Sequence, residues 1–417
     1  MHPFTLAFLV ALAVTTLAQL WLAVRHIRHV AAHRDAVPPE FTGRITIVAH
    51  QKAADYTTAR TGVGTVETAA GAVILLAFTL GGGLQAISAG WTRLLQTGGY
   101  AHGIAFIVTV AVIGGVFDLP FGLYRTFVVE ARYGFNRMTV RLYFLDLAKQ
   151  ALLGLLLGVP LALCVLWLMA VMGDAWWLYV WLTWVAFSLL YAMLHPILIM
   201  PLFNRFTPLQ DETLKGRIEN LLARCGFRSQ GLFVMDSSRR SSHGNAYFTG
   251  FGRAKRIILF DTLIDRLAPP EIEAVLAHEL GHFSRNHVWK RMAVLFGVSL
   301  GFLWLLGYLI GEDWFYGALN VQTHTTAMAL VLFFMVVPVF AFLLQPLMSL
   351  YSRRHEFEAD AYAAQHAAAS DLAQALVKLY QDNAATLTPD PLHSAVYDSH
   401  PPAALRIARL QSAKGSC

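Results

Sequence analysis

Seven stretches of this chain are apolar for long enough to cross a bilayer, and no other feature limits its fold so strongly. A spanning helix needs about 20 such residues, because the hydrocarbon core is roughly 30 Å thick. The stretches fall near 4–24, 69–90, 103–124, 151–172, 175–194, 292–310 and 327–350. Composition agrees. The 417 residues are 56% hydrophobic and 14% charged, with mean hydropathy +0.51. Soluble domains carry about 25% charge. The expected fold class is therefore mostly α, a polytopic membrane protein. The fifth stretch either ends or kinks in "HPILIMPLF", at Pro196 and Pro201. Only Met1, His2 and Pro3 precede the first stretch, so it lacks the basic start of a signal peptide and reads as a retained helix.

The loops alternate in charge. Arg25, Arg28, Arg34, Arg44, Lys52 and Arg60 follow the first stretch. Arg125, Arg132, Arg137, Arg141 and Lys149 follow the third. The loops after the second, fourth and sixth hold Arg93, Asp174, and Glu312 with Asp313. The positive-inside rule then puts the N-terminus outside and the C-terminus in the cytoplasm. Basic loops beside anionic lipid suffice to explain the pI near 9.2, so no nucleic-acid partner is implied. Cys164, Cys225 and Cys417 form no C-x-x-C pair. Cys417 is the last residue, so the tail "KGSC" is not a prenylation box.

Two polar stretches, about 204–291 and 351–417, lie on one side of the membrane in this topology. They divide the chain into residues 1–203, with spans one to five, and residues 204–417, a unit of both polar stretches that includes spans six and seven. "TPLQDETLKGRIENLLARCGF" has a helical pattern, with Thr207 and Pro208 as start signals. "LFVMDS", "NAYFTG" and "RIILFDT" suggest a small sheet. "APPEIEAVLAHELGHFSRNH" reads as a helix, with Pro270 in its first turn and Glu271 and Glu273 facing its dipole.

That last segment carries H-E-x-x-H. His278 and His282 are four apart and share a helical face, so both imidazoles can reach one Zn²⁺. Glu279 can then take a proton from a water polarised by the metal. A helix with two surface histidines could match by chance, and a third ligand would decide. "SRRHEFEADAYA" offers one. Glu356 and Asp360 are four apart: Glu356 can ligate, and Asp360 can hold the free N–H of a ligating histidine. Glu358 reads as a solvated charge. Asp118, inside span three, either lines a cavity or pairs with Arg125.

"HELGH" and "SRRHEFEAD", with "HGNAYFTGF", "SHPPAALRI", "PLFNRFTPL" and "RYGFNRMT", resemble the type I CAAX prenyl protease family of integral-membrane zinc metallopeptidases. The resemblance implies a ring of seven helices enclosing a chamber, with a cytoplasmic zinc metalloprotease domain of the gluzincin type facing into it. It implies one Zn²⁺ per chain, with His278, His282 and Glu356 as ligands and Glu279 as general base. It makes "HGNAYF" an edge strand, with Asn245 and Ala246 pairing with substrate backbone. His400 and Arg406 match positions lining the active site, where either could donate to the developing oxyanion. His287 also matches a family histidine, structural or channel-lining rather than a fourth ligand. The implied partners are membrane lipid and a peptide or protein substrate, with or without a prenyl group. The sequence leaves the oligomeric state open, and a monomer suffices. Two other readings compete. One is a membrane quality-control protease with unprenylated substrates. The other is a non-catalytic scaffold or transporter, against which Glu279 speaks.

Overall fold

The computed structural model describes residues 1–249 and 254–412. Gly250 and Phe251 of "HGNAYFTGF", and the terminal Cys417, lie outside these.

Among the described residues, seven helices are long and apolar enough to span: Pro3–Ala32, Ile47–Phe78, Tyr100–Glu130, Val140–Val171, Gly173–Phe203, His287–Leu309 and Thr326–His366. None of the apolar window of spans two and five is buried. Such helices do not pack into one solid bundle; their free faces meet lipid or internal space. A cavity of 530 Å³ opens between spans two, three and four, and one of 700 Å³ lies where these spans meet Asn204, Arg240 and His243.

Span two departs most from expectation. It begins at Ile47 and ends at Phe78, so Lys52 and Arg60 lie on its helix and not in a loop. Residues 47–68 are too polar to register as apolar, yet Tyr56, Arg60 and Glu67 line the two cavities, where a polar face is tolerated. The apolar run 69–90 is broken by a turn at Thr79–Gly82. There Gly82 takes φ +76°, and a separate helix, Gly83–Thr92, follows. Arg141 and Lys149 likewise belong to a helix, that of span four. Arg125 pairs with Glu67 and not with Asp118, which lines the 530 Å³ cavity.

Span five continues through Pro196 and Pro201, by a wider π-type turn over His195–Ile199. Span seven continues too. After a tight turn at Phe342–Leu344, it runs on as the helix Gln345–His366 and carries "SRRHEFEAD" out of the apolar region.

The polar stretches build a four-stranded sheet: β1 (Phe206–Pro208), β2 (Arg228–Met235), β3 (Ala246–Thr249) and β4 (Ala254–Phe260). The order is β1-β2-β4-β3, with β2 and β4 parallel and the other pairs antiparallel. Thr207 and Pro208 thus sit in β1 and do not start a helix. The helix Glu212–Arg224 starts four residues later, where the Asp211 carboxylate accepts from the Leu214 N–H at 2.9 Å. Leu214, Ile218 and Leu221 of this helix form one apolar core with Ile257 and Leu259 of β4 and Leu276, Ala277 and Leu280 of the H-E-x-x-H helix.

The H-E-x-x-H helix spans Pro269–Ser284. Pro269 and Pro270 occupy its first turn, and the Glu271 carboxylate accepts from the Ala268 N–H at 2.7 Å. It packs on the helix Gln345–His366 at Gly281. A Cβ at Gly281 would stand 2.9 Å from Ala359 Cα and 3.1 Å from its carbonyl oxygen. Backbone atoms cannot swing aside. Overpacking costs about 1–3 kcal/mol, against a helix-propensity gain of about 1 kcal/mol. We therefore expect Gly281→Ala to lower the melting temperature in detergent and to loosen metal retention. Parent-like melting and metal content would show that this contact does not set the helix spacing.

Candidate active site

The two packed helices bring three donor atoms together. Nε2 of His278 and Nε2 of His282 are 3.3 Å apart. The Glu356 carboxylate closes the triangle, with Oε2 3.5 Å from His278 Nε2 and Oε1 3.4 Å from His282 Nε2. A tetrahedron with arms of about 2.0–2.1 Å has edges of roughly 3.3–3.4 Å, so these separations, taken to the two carboxylate oxygens in turn, match the spacing of donors around one zinc ion, and one ligand atom of each residue lies within 4.8 Å of the others. These three residues are the one such His/Cys/Asp/Glu group among the described residues. Glu356 is buried, and its Oε2 has no hydrogen-bond partner. A buried carboxylate oxygen facing two imidazole lone pairs is costly without a cation between them. The donor set therefore fits a divalent metal.

The far nitrogen of His278 is fixed by a carboxylate. His278 Nδ1 lies 2.8 Å from Asp360 Oδ1, which makes Nδ1 the donor and leaves the Nε2 lone pair free. Arg406, on the helix Ala403–Ser412, donates to Asp360 through Nε at 2.8 Å and Nη2 at 2.6 Å. Burial works to lower the Arg406 pKa, but Asp360 and Glu356 override it and hold the guanidinium charged. Breaking such a buried pair by removing one partner costs about 3–5 kcal/mol, because the other charge is stranded.

Glu279 follows His278 on the helix. It is half-buried and has no side-chain partner among the described residues. Burial pushes its carboxyl up, opposed by His278 and reinforced by Glu356. A bound cation would pull it back down. His400 stands at the open side, with its side chain 61% exposed and Nε2 3.5 Å from Glu356 Oε1.

The sequence-expected residues are not all gathered equally. His278, Glu279, His282, Glu356, Asp360, His400 and Arg406 meet at one centre. Asn245 and Ala246 lie at the start of β3. The Asn245 carbonyl accepts from the Phe260 N–H at 3.1 Å, and its side-chain oxygen accepts from the Ala246 N–H at 2.8 Å. The next residues of the strand, Tyr247, Phe248 and Thr249, line an 890 Å³ cavity that also reaches His282. Span five contributes Leu189, Ala192, Pro196 and Met200 to this cavity, and span six contributes Val288 and Met292.

Glu358 is not the solvated charge that the sequence suggests. Its Oε2 lies 3.0 Å from Nε2 of His287, whose Nδ1 lies 3.0 Å from Nδ1 of His282. No spacing rule links these residues. His287 follows His282 by five residues, across the break at Asn286, where φ is +57°.

Seven spanning helices, a metal-sized His-His-Glu triangle and an unpaired glutamate beside it define an integral-membrane metalloendopeptidase. Residues 26–205 match the family model described as CAAX prenyl protease N-terminal, five membrane helices, and residues 208–414 match Peptidase family M48. The chain belongs to peptidase family M48, in its CAAX prenyl protease branch. It is 40% identical over 318 residues to a CAAX prenyl protease 1 homolog of Oryza sativa subsp. japonica, covering 75% of this chain and 74% of that protein. A CAAX prenyl protease 1 homolog of Caenorhabditis elegans is 30% identical over 425 residues, covering 94% and 95%. The crystal structure of S. mikatae Ste24p superposes with a TM-score of 0.92 at 29% identity, covering 98% of this chain and 99% of that one.

Proposed function

We propose that this metalloendopeptidase uses zinc, works at the cytoplasmic face of its membrane, and cuts CaaX-type peptides whose cysteine carries a prenyl group. The reading is carried by one observation: His282, one of the three residues that could hold a metal, lines the 890 Å³ cavity, which has the edge strand β3 on one side and apolar residues of spans five and six on the other. An edge strand can take up an extended peptide by backbone pairing. The apolar side suits a lipid chain arriving from the bilayer. The CAAX prenyl protease name of the relatives points the same way.

In this reading His278, His282 and Glu356 hold the ion, one per chain, and a bound zinc would polarise the scissile carbonyl and acidify the attacking water. Asp360 fixes the tautomer of His278, and Arg406 acts through Asp360. Asn245 and Ala246 begin the strand that aligns the peptide. Glu279 accepts the proton of the water as its oxygen bonds to the carbonyl carbon. It then returns that proton to the amine nitrogen as the C–N bond breaks. His400, the more open of the two side chains, donates to the carbonyl oxygen as charge builds there.

The fold gives the topology a physical frame. Span one starts beside the helix Asp313–Gly317, where Thr5 donates to the Ala318 carbonyl at 2.6 Å. It ends against the protease unit, where Arg25 pairs with Asp390 at 2.9 Å. The N-terminus lies at one end of span one, and Arg25, paired with Asp390 of the protease unit, lies toward the other. A cysteine placed at exposed Gln210, in a cysteine-free background, should resist membrane-impermeant thiol reagents in intact cells. Labelling from outside would reverse the topology.

Peptide cleavage by the purified protein tests the chemistry and the substrate together. The parent should cut a farnesylated CaaX peptide faster than its unfarnesylated twin. Glu279→Gln, loaded with zinc, should lose about 10²–10⁴ in rate, because an amide cannot accept the proton. Equal rates on both peptides would replace the prenyl reading with hydrophobic peptides in general, as in quality control. Full activity of the zinc-loaded variant would remove Glu279 from the mechanism.

A further inference from the structure

The second imidazole of the triangle is held as deliberately as the first, but through His287, a residue outside both motifs. If His282 binds metal through Nε2, that lone pair is taken, and the ring's hydrogen must sit on Nδ1. The atom facing it, at 3.0 Å, is Nδ1 of His287, which must therefore accept. His287 then carries its own hydrogen on Nε2, and the atom facing that, at 3.0 Å, is Glu358 Oε2. Glu358 Oε1 accepts from Arg354 Nε at 3.1 Å. Every donor in the chain meets an acceptor, and its direction is fixed from end to end.

The surroundings hold the relay ring in plane. His287 is 1% exposed, so no bulk water can replace either partner. His355 stacks on it, with centroids 4.0 Å apart and planes 9° apart, and Tyr351 meets His355 edge-on at 4.3 Å. His287 does not face the triangle with either nitrogen, since one meets His282 and the other Glu358. It is therefore a positioning residue and no fourth ligand. The arrangement parallels His278–Asp360–Arg406: each ligating imidazole is backed by a carboxylate and then by an arginine. Here the carboxylate stands one ring further out, on a half-exposed side chain.

We propose that His287 and Glu358 form a directed relay that fixes the tautomer and orientation of His282 and strengthens its hold on the metal. The proposal rests on the His278, His282 and Glu356 ligand reading. Zinc affinity of the full-length protein in detergent, measured by chelator competition, tests it with the Co²⁺ absorption spectrum as second readout. His287→Leu should weaken zinc by about 10–100-fold and shift the cobalt bands. His287→Asn should recover part of the loss, because its amide oxygen stands where Nδ1 stood. Glu358→Ala should weaken zinc by about tenfold, the low end of that range. Parent-like affinity and spectrum in folded His287→Leu would overturn the relay, as would an asparagine variant no better than leucine. If the leucine variant does not fold, parent-like affinity in Glu358→Ala overturns it instead. A parent protein that binds no zinc refutes the ligand reading itself, whereas tight parent binding with unchanged variants refutes the relay alone.

Discussion

Everything at the catalytic centre depends on the contact between Gly281 and Ala359. The two histidines lie on one helix and the glutamate on another, about seventy-five residues later in the chain. No local rule can hold a donor triangle with edges of 3.3–3.5 Å across that separation. Helix axes must approach closely, and only a residue without a Cβ permits it here. The glycine inside H-E-L-G-H is thus a packing device within a chemical motif.

Once the helices are locked, the site becomes a problem of buried charge. Glu356 and Asp360 are both nearly inaccessible, and Arg406 is the buried cation that answers them. It spends its geometry on Asp360, which in turn fixes His278. This leaves the Glu356 carboxylate and two imidazole nitrogens turned inward, a donor set that a divalent metal completes. Glu279 stands outside this network, with no hydrogen bond or ion pair among the described residues. The seventh span serves both worlds: its apolar half sits in the core with spans one, three and six, and its polar extension carries Glu356 and Asp360.

What the sequence reveals follows from how local each feature is. His278 and His282 are legible because i and i+4 share a helical face wherever the helix goes. Glu356 and Asp360 are legible by the same rule. The relay through His287 is not, because it crosses a helix break and then reaches a different helix. The pairing of Arg406 with Asp360 joins residues 46 positions apart, which no periodicity reports. Span two departs from its hydropathy pattern for a different reason. Its polar half faces cavities and so fails a hydropathy criterion, while an apolar run continues through the turn at Gly82. Strand β1 has three residues, too few for any alternation to show.

A membrane setting explains why such a centre sits at the end of spanning helices. His282 lines a cavity walled in part by spans five and six, so the centre borders the spanning region. The most direct test of the metal centre is X-ray absorption at the zinc edge on the purified protein. One zinc per chain, with nitrogen and oxygen neighbours at about 2.0–2.2 Å and the outer-shell scattering of two imidazoles, is the predicted result. A sulfur neighbour near 2.3 Å, an imidazole count other than two, or no bound metal would contradict it.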